Sequence, residues 1–183
     1  MMIISDGPIP KISVNKLVIA LNLGYKVNKL NRYCKLLKMS YFCVILLNNM
    51  IKKIEHIGIA VKSLETSNQL FKKLFGKDHY KIEKVESEGV STSFFMLGDT
   101  KIELVEANAP DSSIAKFIEK KGEGIHHIAY AVDDILAEMD RLKKEGFELI
   151  NQQPKEGADN KLICFLHPKS TNGVLVELCQ EKK

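Results

Sequence analysis

Residues 54–61 alternate strictly in character. Ile57, Ile59 and Val61 fall on one side of an extended chain, and His56, Gly58 and Ala60 on the other. A period of two marks a β-strand with one face packed. The pattern returns in residues 125–132, where Ile128, Tyr130 and Val132 oppose His127, Ala129 and Ala131. A lag of 71 residues lays His56 on His127, whereas His126 falls in register with Glu55 and is assigned to the bulky side. That bulky side is expected to meet a helix. The opposite side, trimmed to Gly and Ala, leaves space in front of the histidine.

A helical period of apolar positions follows each strand. After the first copy Leu64, Leu70, Phe71 and Leu74 predict an amphipathic stripe, with Ser63 as cap and Gly76 as stop. After the second, Ile135, Met139 and Leu142 predict another, capped by Asp133 or Asp134 and stopped at Gly146. Three strand-like runs come next in each half: YKIEKVE, VSTSFFML and TKIELVE, then FELINQQ, KLICFLHP and GVLVELCQ. A turn is expected at Gly98-Asp99. The chain therefore reads as an α+β protein of two βαβββ modules, about 53–108 and 124–182, joined by a linking helix at about 112–121.

Composition narrows the function classes. Apolar content of 45% and charge of 27% are those of a globular protein. The net charge of +4 is uneven: residues 1–49 hold seven Lys/Arg against Asp6 alone, leaving 20 cationic and 22 acidic side chains in the remainder. No basic stripe exists there to track phosphates, so nucleic acid is not expected as a partner. Cys34, Cys43, Cys164 and Cys179 form no CxxC pair, so reduced thiols and a cytoplasmic setting are expected. Residues 1–49 have one apolar run, YFCVILL, too short to span a bilayer, and no membrane association is expected. They read as an N-terminal extension without function, with Met50 the natural start of the folded domain (50–183).

The last strand of each module carries the second coincidence. Glu103 lies between Ile102 and Leu104, and Glu177 between Val176 and Leu178. Each points away from its apolar neighbours, to the histidine side if the modules fold alike; a three-residue insertion accounts for their offset of 74. Two imidazoles and two carboxylates converging from equivalent strands suit a divalent ion such as Co, Mn, Ni, Zn or Fe. Other strand glutamates, Glu55, Glu86 and Glu106, are expected to be solvated. The HPKS run reads as a turn before the final strand.

The sequence resembles the vicinal oxygen chelate superfamily, and within it the methylmalonyl-CoA epimerase family. The likeness runs from about residue 50 to 180 and rests on IEHIGIAV, SSIAKFIEKKGEGIHHIAYAVDDI and FLHPKSTNGVLVELCQ. It implies a cupped mixed sheet around a metal site and a homodimer. It places the metal on His56, His127 and Glu177, with Glu103 at a fourth position that is Gln in some relatives. It implies a Co2+ cofactor ahead of Mn2+, Ni2+ or Zn2+, and an acyl-CoA substrate, with interconversion of (2R)- and (2S)-methylmalonyl-CoA through an enolate. Glu177 and Glu103 are the expected acid/base pair, and Lys169 is a candidate for the CoA phosphates. Some family members have a glutamate where this chain has Thr92, and threonine cannot serve as a carboxylate base; Glu88 or a metal-bound water are further candidates. Two alternatives stay open: another metal enzyme of the superfamily, such as a glyoxalase-like lyase or dioxygenase, or a metal-free binding protein of the drug-resistance type.

Overall fold

The structure, a computed structural model, describes residues 51–182; the expectations for residues 1–49, and for Cys34 and Cys43, lie outside them. The first module consists of β1 (Lys53–Val61), α1 (Leu64–Phe75), β2 (Lys81–Val85), β3 (Val90–Leu97) and β4 (Thr100–Ala107). A linking helix, α2 (Ser113–Lys121), leads to β5 (Gly124–Ala131), α3 (Ile135–Lys144), β6 (Lys155–Glu156), β7 (Lys161–Leu166) and β8 (Leu175–Glu181). The eight strands form one curled mixed sheet in the order β2-β3-β4-β1-β5-β8-β7-β6. Its centre is antiparallel, β1 against β5, and each of these pairs in parallel with the last strand of its own module. The order is the same read from either edge, so a pseudo-twofold runs between β1 and β5.

Local chemistry explains the element ends. The Ser63 hydroxyl accepts from Thr66 N–H and the Asp134 carboxylate from Ala137 N–H, each capping its helix. Gly76 closes α1 with φ of 68°, a left-handed conformation that favours glycine. In α3 the expected stripe is the buried one: Ile135, Met139 and Leu142 join Val132, Leu166 and Leu178 in one core cluster. In α1 the expected stripe is corrected. Leu70 and Leu74 are 62% and 69% exposed, and the inward face is Leu64, Ser67, Asn68, Phe71 and Phe75. Asn68 is tolerated there because its amide oxygen accepts from the Ser93 hydroxyl at 2.6 Å.

The strand expected over FELINQQ is also corrected. Residues 147–153 make only an irregular approach to β7: an isolated bridge joins Leu149 to Leu166, and Ile150 N–H donates to Phe165 C=O. The Asn151 side chain takes the Phe165 N–H at 3.0 Å, filling the place a ladder bond would use. The regular strand is the two-residue β6 beyond Pro154. Among the described residues, no helix is long and apolar enough to cross a membrane.

Candidate metal centre

The cup is built from the middle of the sheet outward. Register pairs Gly58 with His127 and His56 with Ala129 across the β1–β5 interface. Gly58 pairs with Glu103 on β4, and Ala129 with Glu177 on β8. The two halves therefore offer the same row, glutamate beside a small residue beside the histidine of the other half. The glycine is structurally required. A Cβ at Gly58 would lie 2.1 Å from His127 Cε1, so glycine there is the space the imidazole occupies.

The rows bring all four candidate ligands together. His56 Nε2 and His127 Nε2 are 3.0 Å apart, with their rings at 85°. Glu103 Oε2 lies 3.3 Å from His56 Nε2 and 3.4 Å from His127 Nε2. Glu177 Oε2 lies 3.2 Å from His127 Nε2 and 3.9 Å from His56 Nε2. All four side chains are buried. Bonds of about 2.1 Å from an ion to imidazole nitrogen and carboxylate oxygen leave neighbouring donors roughly 3.0–3.4 Å apart. The spacing fits, most tightly for the triad His56, Glu103 and His127.

Electrostatics perturb the ionisable groups of the cup. Burial would lower the His56 imidazolium, but Glu103, Glu55 and Glu177 outweigh it and raise it to about 9. Burial likewise works against the Glu103 carboxylate, which His56 and His127 hold below its ordinary value. His126, half-buried and next to His127, is pushed down to about 4 by desolvation and by that neighbour.

Two positions depart from the expected alternation, and both are at bulges in the β1–β5 pairing. A bulge sets two consecutive side chains toward one face. Glu55, expected in solvent, is therefore buried beside His56, with its Oε2 on His56 Nδ1 and its Oε1 on the Lys101 ammonium. His126, assigned to the bulky side, instead lines the cavity; its Nδ1 lies 3.0 Å from His127 Nδ1 and its ring packs edge-on against Phe117 of α2. Glu86 is exposed as expected, while Glu106 is half-buried and accepts from Leu64 N–H.

The cavity is about 70 Å³ and opens to solvent, with Val90, Thr92, Phe94, Val105, Ile114 and Phe165 in its walls. Part of its rim is bridged where the curl brings opposite edges of the sheet together. Asp159, in the β6–β7 turn, accepts from Lys101 at 2.6 Å and Lys81 at 3.2 Å, and its N–H donates to Glu83 of β2. Lys155 of β6 pairs with Glu88 at 2.6 Å. Sequence reasoning missed Asp159 and Lys101; the Asp159-Asn160 dipeptide, two residue types that tolerate the left-handed conformation they adopt (φ 52° and 58°), was a local signal of a tight turn. Lys169 is exposed on the short 3-10 turn Pro168–Ser170, apart from the residues that line the cavity.

Comparison with known proteins agrees with this architecture. Residues 55–165 match the family model for the Glyoxalase/Bleomycin resistance protein/Dioxygenase superfamily. An ethylmalonyl-CoA/methylmalonyl-CoA epimerase of Cereibacter sphaeroides is 43% identical over 133 residues, 72% of this chain and 99% of that protein. The crystal structure of methylmalonyl-CoA epimerase from Mycobacterium tuberculosis is 29% identical with a TM-score of 0.71, covering 74% of this chain and 91% of that one. A Streptomyces coelicolor methylmalonyl-CoA epimerase variant in complex with 2-nitronate-propionyl-CoA is 30% identical with a TM-score of 0.69, covering 73% and 100%. With this sheet, this strand order and these relatives, the chain belongs to the glyoxalase/bleomycin resistance/dioxygenase superfamily, among proteins named methylmalonyl-CoA epimerase.

Proposed function

We propose that the chain is an isomerase that interconverts (2R)- and (2S)-methylmalonyl-CoA, with a divalent ion held by His56, Glu103, His127 and Glu177. The observation that carries this reading is the convergence of two imidazoles and two carboxylates within 3.0–3.9 Å on a face cleared by Gly58 and Ala129. Buried carboxylates need compensating charge, and a divalent cation supplies it. Mixed N/O donors suit Co2+, which the family resemblance favours, and also Mn2+, Ni2+ or Zn2+. When bound, the ion would act as a Lewis acid toward negative charge on thioester and carboxylate oxygens.

The reaction needs a proton removed from one face of C2 and one delivered to the other. Glu177 and Glu103 suit this pair of tasks because they descend from equivalent strands on opposite sides of the pseudo-twofold. Glu177 is the first candidate base; the Cys179 thiol donates to its Oε1 at 3.0 Å and so restrains its carboxylate plane. Thr92 is in the cavity wall without a carboxylate, and its hydroxyl is turned to the Glu83 carbonyl at 3.5 Å. Phe94 and Phe165, at matching places in the two halves, line the cavity and would shield a substrate carbon there from water. The nitronate bound by the Streptomyces relative is a planar delocalised anion, as an enolate is. Lys169 is kept as a contact for the CoA phosphates beyond the cup. The test is incubation of the metal-loaded protein with (2R)-methylmalonyl-CoA in deuterated water. Deuterium at C2 together with loss of stereochemistry is expected; retention of the proton and of configuration would end this reading.

A further inference from the structure

The two histidines at the centre are backed by different groups, and this asymmetry is built by the bulges. At the first bulge stands Glu55, at the second His126, and each touches Nδ1 of the histidine that follows it. Glu55 is 6% exposed, and its other oxygen faces two buried ammonium groups, Lys101 and, at 3.4 Å, Lys161. Lys101 passes on to Asp159 at the rim. A buried acid between an imidazole and two lysines is an arrangement that folding alone does not favour over an apolar one. Glu55 lies at the cavity wall, and its contact with a candidate ligand is the bond to His56 Nδ1.

We propose that Glu55 is a positioning residue: by accepting from Nδ1–H of His56 it fixes that ring so that Nε2 faces Glu103 and His127, while His127 has no carboxylate in the corresponding place. The reason is general. An imidazole coordinates through one nitrogen, and the partner of the other sets both its tautomer and its tilt. His126 cannot replace such a carboxylate, because an imidazole nitrogen carries no full negative charge and competes for the same proton. His56 is thus the oriented ligand and His127 the one held by packing, against the Gly58 backbone and edge-on to Phe165.

This inference rests on the metal reading, and the experiment separates the two. Co2+ is titrated calorimetrically into wild type, Glu55→Gln, Lys101→Met and His126→Ala, and the visible absorption of each Co2+ form is recorded. Glu55→Gln is chosen because it keeps the volume of the site, and thermal unfolding of the metal-free forms checks that each variant folds. Wild type is expected to bind one Co2+ saturably. Glu55→Gln should bind it at least ~10-fold more weakly, the lower end of what such outer partners contribute, with a shifted absorption band because ligand geometry has changed. Lys101→Met and His126→Ala should keep the wild-type band. Failure of wild type to bind Co2+ would sink the metal reading and this inference together. Wild-type affinity in Glu55→Gln, weaker binding with an unchanged band, or the same band shift in His126→Ala would each overturn the inference while leaving the metal reading intact.

Discussion

The two modules are the same scaffold furnished differently. Both place a glutamate, a small residue and a histidine in one row, with an aromatic beyond, Phe94 opposite Glu103 and Phe165 opposite Glu177. Around that shared row they diverge. The first module has Glu55 at its bulge, Gly58 at its centre and a five-residue β2; the second has His126, Ala129 and a two-residue β6. The lesson is that duplication repeats the donors, while the side chains touching them are free to differ.

The comparison is broken most severely by removing a donor. His127→Ala is expected to abolish saturable Co2+ binding, whereas His126→Ala, one residue away, should weaken it by less than about tenfold. Calorimetry on the two variants decides, and the reverse result would put the register off by one.

The paired glutamates come next. With saturating metal, Glu177→Gln is expected to slow C2 deuterium exchange by at least ~100-fold, the low end of general acid–base contributions. Glu103→Gln should be much milder. A dead Glu103→Gln beside an active Glu177→Gln would reverse the assignment of the halves, and full activity in both would move the acid/base groups elsewhere.

The central small residues sharpen the contrast through stability. Gly58→Ala forces a methyl into the His127 ring, 2.1 Å from Cε1, and is expected to destabilise by about 1–3 kcal/mol and weaken metal binding. Ala129→Gly in the other half creates no clash and should destabilise by about 0.5–1 kcal/mol, with the metal retained. Urea unfolding of both measures the difference.

The smallest effect is expected at the rim. Burial would raise the Asp159 carboxyl, but Lys101 and Lys81 outweigh it and hold it below its ordinary value of 3.8. A depressed carboxyl stabilises the fold above that value, and the stabilisation is lost as pH falls through the folded one. Asp159→Asn, which keeps the left-handed turn, should therefore destabilise by about 1 kcal/mol or less at pH 7. The gap should close in acid; an equal gap at pH 3 would show that Asp159 acts other than by its charge.

Several of these residues were legible in the sequence. Alternation within a strand follows from backbone geometry alone, and the 71-residue lag then separates His127 from His126 without any coordinates. Ser63 and the stripe of α3 follow from equally local rules. Tertiary structure decided the rest. A bulge is a property of two paired strands, so nothing in the alternation of either strand says that Glu55 and His126 turn toward the cup. Helical period offered Leu70 and Leu74, and only the position of the sheet under α1 selected the face that includes Asn68 and Phe75. Asp159 and Glu83 lie 76 residues apart on opposite edges of the sheet; the accumulated twist of eight strands brings them together, and twist is summed over the whole sheet rather than written in any one segment.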